Sequence, residues 1–356
     1  MKGHPPRRED EACTAARRAR SPVRAAVAPL TVVVLGALAG GVGCRSTATD
    51  TPLPAAAKAP AWPRSFVDAE GTKATLTAPP ARVVSLSPAI TEMLFAVGAG
   101  DRLVGVTEYC DYPPEAKQLP KVGSYTTFSL ERVLSLRPEL AIGMRGTAKE
   151  AFDGLRQAGV PALAYDPTTV GQVLDLMDEL SRMVFAEDPT TSAVAELRGR
   201  VETVQRGAAA LTRRPRVLCA VQIDPLFAAG PDNHIDDMIR LAGGENLAGD
   251  ADVAWPQYSL ERTLEKDPEI ILVPHGYMGD EAGDALKTLR ASRAWSGTTA
   301  VKADAVLEIP DDFLSLPGPR IVDGLETIAE ALRDAAQRPG AGGRPSDPTG
   351  PTTTQG

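Results

Sequence analysis

Residues 129–146 read SLERVLSLRPELAIGMRG, and residues 259–276 read SLERTLEKDPEIILVPHG. Without a gap, Ser129/Ser259, Leu130/Leu260, Glu131/Glu261, Arg132/Arg262, Leu134/Leu264, Pro138/Pro268, Glu139/Glu269 and Gly146/Gly276 coincide. One unit is used twice. In each copy Ser suits a helix N-cap, and Glu falls in the first turn, where the helix dipole favours it. Pro closes the helix. An apolar strand follows, Leu140-Ala141-Ile142 or Ile270-Ile271-Leu272-Val273, of the kind buried on both faces of a parallel sheet. Ligands in open α/β sheets bind beyond the carboxyl ends of the strands. Two such units predict two similar α/β lobes with a cleft between them.

The chain around the repeat divides by composition. Residues 2–24 are basic, and an apolar run from Ala25 to Val42 ends in Gly41-Val42-Gly43-Cys44. This predicts an export signal over 1–43. It resembles the lipobox of bacterial lipoproteins, with Gly41 in place of the usual Leu and Cys44 as the acylated residue. Residues 44–63 are a Pro/Ala/Thr-rich tether, and 337–356 a Gly/Pro/Thr-rich disordered tail. Between them, strand and helix patterns alternate over 64–188 and again over 213–336, which implies parallel sheets with crossover helices. Pro189 begins a pattern with Val194, Leu197, Val201 and Val204 on one face, predicting one long connecting helix over 189–212. At the start of the first lobe, Ser87-Pro88 reads as the N-cap and first turn of a helix that ends at Gly98.

Several functions are disfavoured. The net charge of −8 comes without a basic block in the body, which argues against nucleic-acid binding. Only His234 and His275 lie in the body, too few for a free-metal site or a histidine-based hydrolase. No GxSxG, HExxH, CxxC or P-loop occurs. An enzyme and a purely structural envelope lipoprotein remain as distant alternatives. Cys110 and Cys219 read as two buried or loop thiols, with a disulfide between them left open. Glu131 and Glu261 have two readings: first-turn helix residues, or matched charges that dock a two-fold partner through its arginines. Tyr109, Tyr112, Tyr125, Phe128, Trp255 and Tyr258 cluster in predicted loops, as befits a large, flat, partly apolar ligand. Trp295 reads as core.

VVSLSPAITEMLFAVG (83–98), VGVTEYCDYPPEA (104–116), KVGSYTTFSLERVLSLRPELAIG (121–143), LAGGENLAGD (241–250) and WPQYSLERTLEKDPEIILV (255–273) together resemble the ABC-importer binding proteins for cobalamin, haem and ferric siderophores. The likeness is greatest to the cobalamin binders and covers nearly all of 66–335. It implies two Rossmann-like lobes joined by one rigid helix, no enzymatic activity and no resident cofactor. It also implies a transported ligand, cobalamin or a related corrinoid, and as partners a permease dimer with its ATPase subunits. The protein would be a monomer, exported and held at the membrane by its lipid. Residue by residue, the resemblance assigns ligand contact to Tyr109, Tyr125, Phe227, Trp255 and Asp312, and permease docking to Glu131 and Glu261. Met144 stands where those binders carry a further tryptophan. Ala242 and the region of 325 hold no cysteine, so their disulfide is absent. Haem would use an axial ligand such as His275, Tyr277 or His234, and an anionic siderophore an arginine such as Arg145.

Overall fold

The structure is a computed structural model, and it describes residues 62–124, 127–146, 149–185, 192–275 and 282–338. The export segment, Cys44 and nearly all of the tether lie outside the described residues. So do Tyr125, Tyr277, residues 189–191 of the expected helix and the tail from 339. Strands β1 (Arg64–Val67) and β2 (Lys73–Leu76) form an antiparallel hairpin. The first α/β unit runs β3 (Val83–Ser85), α1 (Pro88–Ala96), β4 (Leu103–Gly105), α2 (Leu130–Ser135), β5 (Leu140–Met144), α3 (Lys149–Gln157), β6 (Ala162–Tyr165). Helices α4 (Val170–Val184) and α5 (Ser192–Ala209) lead to the second. That unit runs β7 (Arg216–Ile223), β8 (Leu226–Ala228), α6 (His234–Leu241), β9 (Glu245–Asn246), α7 (Leu260–Lys266), β10 (Ile270–His275), α8 (Ala282–Ala291), α9 (Thr299–Lys302), β11 (Val306–Pro310), α10 (Asp311–Leu314), α11 (Ile321–Gln337).

The first sheet has the order β4-β3-β5-β6 and is parallel throughout. The second has the order β11-β10-β7-β8, with β9 beside β7. Its β8 departs from the parallel expectation and pairs antiparallel with β7. Only Asp224 and Pro225 separate these strands, and so short a link permits a hairpin but no crossover. The repeat survives in register: Leu140 of β5 lies opposite Val83, and Ile270 of β10 opposite Val217. It survives in the caps too, since Ser129 Oγ accepts from Arg132 N and Ser259 Oγ from Arg262 N, each at 3.2 Å.

Side-chain alternation along the two central strands builds the core. Leu140, Ile142 and Met144 of β5 enter the same apolar cluster as Ile270 and Leu272 of β10. Ala141 faces a cluster with α3, and Ile271 and Val273 face one that includes Trp295. The two units thus share one continuous core and have an outer core each. Helix α5 is tied to both sides: Arg198 reaches Asp175 and Asp178 of α4 at 2.8 Å each, and Arg200 Nε reaches Glu326 of α11 at 2.9 Å. Cys110 and Cys219 are free and buried.

Candidate functional site

Strand ends and the loops after them converge on a cleft of about 850 Å³. Ser87 and Pro88 follow β3, Met144 ends β5 and Arg145 follows it, and Asp166 follows β6. The second unit adds Asn233 and His234 at the start of α6, the Trp255 loop before α7, and Leu316 and Pro317 between α10 and α11. Both halves of the fold therefore line it, as the repeat predicts. A smaller hollow of about 390 Å³ at the far ends of α5 and α6 lies away from these loops.

Tyr109 from the first unit and Trp255 from the second line the cleft, at 48% and 46% exposure. Aromatic faces on the wall of a concave site are apolar contact surface for a ligand. The Trp255 loop is held firmly. Asn233 Nδ2 donates to Gly230 O and Ala254 O at 2.9 Å each, and Gly230 N donates to Ala254 O. A Cβ on Gly230 would fall 2.4 Å from Val253 O, so only glycine permits this approach. Asn233 Oδ1 also caps α6 by accepting from Ile235 N and Asp236 N. One side chain thus fixes both the helix start and the tryptophan loop. Next to the indole, His234 lies edge-on with ring centroids 6.4 Å apart. Burial pushes its pKa down, against the hydrogen bond from Nε2 to Leu314 O at 2.7 Å, so the imidazole is neutral near pH 7.

On the opposite wall, Ser87 was expected to cap α1 but makes no side-chain cap bond. With Pro88 at the first helical position one amide donor is already gone. The Ser87 carbonyl accepts from the hydroxyls of Ser85 and Thr91 at 2.8 and 3.1 Å. Met144 lines the cleft at the position where the resemblance has an aromatic residue. Arg145 reaches Asp166 at 3.0 Å. Asp232 adds a second carboxylate, so the described lining has Arg145 as its cation and Asp166 and Asp232 as its anions.

The remaining expected residues lie elsewhere. Phe227 is on β8, bridged to Gln257 and outside the lining. Asp312 on α10 accepts from Arg320 at 2.9 Å and is likewise outside it. Among the other clustered aromatics, Tyr258 is buried and bonded to Leu247 O, Phe128 packs on the outer core of the first unit, and Tyr112 lies under Arg320. His275 ends β10 but does not line the cleft. Glu131 and Glu261 are exposed on α2 and α7, and neither has a hydrogen bond or ion pair among the described residues. Sequence reasoning missed Ser87, Asn233 and the 315–317 segment as cleft lining. Asn233 before an amphipathic helix was a readable cap; the 315–317 segment carried no local signal.

The periplasmic binding protein family model matches residues 83–313. A vitamin B12-binding protein of Photorhabdus laumondii is 31% identical over 261 residues, covering 73% of this chain and 90% of its own. The crystal structure of the periplasmic vitamin B12 binding protein BtuF of Vibrio cholerae has a TM-score of 0.64 at 29% identity, covering 73% of this chain and 99% of that one. The periplasmic heme-binding protein RhuT of Roseiflexus sp. RS-1 in apo form has a TM-score of 0.63 at 29% identity, covering 73% and 100%. A matched model over most of the folded body, relatives spanned almost end to end, and a cleft shared by two parallel α/β units agree with one another: the chain belongs to the periplasmic binding protein family.

Proposed function

We propose that this binding protein takes cobalamin or a related corrinoid into its cleft and delivers it to the permease of an ABC importer. The relatives named for vitamin B12 support the cargo. The observation that carries it is the charge of the wall. Arg145 is engaged by Asp166, and Asp232 tips the described lining toward negative. Haem propionates or an anionic siderophore would call for cations there. A corrin ring fringed with neutral amides suits a wall of two aromatic faces, a neutral imidazole and carboxylates. The volume falls toward the upper end of small-molecule sites, roughly 300–1,000 Å³.

Glu131 and Glu261 offer one unengaged carboxylate on each unit to arginines of a two-fold permease. An exported, lipid-anchored monomer, with Cys44 carrying the lipid, completes the reading. It divides the chain into the lobes 64–188 and 213–336, joined by the segment 189–212 that holds α5 (Ser192–Ala209). Calorimetric titration with cyanocobalamin should give saturable one-to-one binding. Trp255→Ala should weaken it by about 2 kcal/mol, as for other buried aromatic anchors. Binding of haemin in preference to cyanocobalamin would overturn the cargo and leave the importer role.

A further inference from the structure

We propose that Nδ1 of His234 is a hydrogen-bond acceptor in the cleft wall that takes an N–H of the bound cargo, a peripheral amide in the case of a corrinoid. This rests on the cargo reading above. His234 is more than nine-tenths buried, yet it lines the cleft beside Trp255. Its Nε2 meets the Leu314 carbonyl at 2.7 Å. A carbonyl only accepts, so Nε2 carries the proton, and in the neutral ring Nδ1 is left with a bare lone pair. Nδ1 has no partner within the protein among the described residues. Nor is it one of the sealed orphan atoms, which are Trp62 Nε1, Arg102 Nε and Ser181 Oγ among the described residues. It therefore keeps some solvent contact, in a side chain that lines the cleft. A fixed acceptor in a half-dry wall favours a cargo that brings donors and penalises one that brings carboxylates, since two acceptors leave each other unsatisfied.

The test titrates cyanocobalamin into wild type, His234→Phe and His234→Gln, with melting curves to verify folding. Glutamine can donate to Leu314 O and still offer an oxygen to the cleft. The phenylalanine variant should lose about tenfold in affinity, and the glutamine variant should stay within about threefold of wild type. Wild-type affinity in the phenylalanine variant overturns the proposal, and so does equal loss in both folded variants. A shift of the corrin visible bands that His234→Phe abolishes would mark coordination of the metal, and also overturns it. Should the phenylalanine variant not fold, pH decides. Wild-type affinity should fall on acidification as Nδ1 gains a proton, and that of His234→Gln should not. Superimposable pH profiles overturn the proposal. The carboxylates and cations on the surrounding elements are common to both proteins. These are Asp236 and Asp237 with Arg240, Asp311 with Ser315, Asp312 with Arg320, and Asp232. A wild type that takes up no cyanocobalamin at all overturns the cargo reading, and the amide partner with it.

Discussion

Ala81 N donates to Glu139 at 2.6 Å, and Arg216 N to Glu269 at 3.0 Å. These repeated glutamates each clamp the chain where it enters the strand beside β5 or β10. Arg82 and Arg216 answer in kind. Arg82 Nε donates to the carbonyls of Leu136 and Arg137, and Arg216 Nε to those of Lys266 and Asp267. Both Arg137 and Asp267 have positive φ, 48° and 51°, which turns their carbonyls to the arginine. Glu139 and Glu269 are consumed by the fold, whereas Glu131 and Glu261 are not. Glu269 is buried and also holds Arg213, so Glu269→Gln should cost about 2 kcal/mol in urea melts. Glu131→Lys and Glu261→Lys should each cost no more than about 1 kcal/mol in the melts, the helix-dipole contribution, and leave cyanocobalamin affinity unchanged but impair uptake in cells. Loss of affinity in those variants would sink the docking role. The repeat set all four glutamates apart equally; what separates them are partners at residues 81, 213 and 216, outside the motif. His234 adds a pH effect. Burial holds its pKa below the ordinary 6.5, so its stabilisation is complete above that value. It is lost as pH falls from there toward the lower native pKa, by at most about 1.4 kcal/mol per pH unit. Melts of His234→Gln at pH 7.5 and 5.5 should differ less than those of wild type.

Ser129 and Ser259 open α2 and α7 with the same cap bond, and each is exposed. Replacing either by Ala should cost about 1 kcal/mol. The two caps sit on separate units with no shared partner, so the double variant should show the sum within about 0.5 kcal/mol. A clear excess would mean that the units communicate through these helices. Such elements were legible because strand and helix periods, caps and Pro/Gly punctuation are local. The ends of α1 illustrate both sides. Gly98 stops the helix with φ 81°, as read, but the Ser87 side chain makes no cap bond, although its carbonyl accepts from Thr91 N as the first helical bond requires. Antiparallel β8 escaped because a strand's direction depends on the length of its connection, not on its composition. Segment 315–317 escaped for another reason: it becomes cleft wall only by packing against α1. Gly318, just after it, would carry a Cβ 3.6 Å from Ala89 Cα.

Taken whole, the two units are joined in three ways besides the chain itself. They share one apolar core, α5 is pinned to α4 and α11, and Val170 N donates to Asp237 across them at 2.9 Å. A fourth joint ties α1 to the start of α11. Glu92 of α1, 3% exposed, meets Arg320 at the start of α11 with Nε–Oε2 at 2.9 Å. Arg320 also reaches Asp312 and stacks over Tyr112, 4.2 Å from the ring centroid. Opening the units like a hinge would strip this pair of its partners and wet a continuous core. A buried pair is costly to break because the survivor is left charged without water. Cargo binding should therefore move the units little. X-ray scattering with and without cyanocobalamin should give radii of gyration within about 1 Å, as for other preorganised binders. Arg320→Ala should destabilise by about 3 kcal/mol, and Arg320→Lys should restore only part, since lysine lacks the fork that spans two carboxylates. The alanine variant should also bind cyanocobalamin more weakly, because the cargo must then pay for ordering the two walls. A radius that contracts by several ångströms on binding in wild type would sink the rigid-joint argument. So would an alanine variant that melts and binds like wild type, since Glu92 would then be buried without need of its partner.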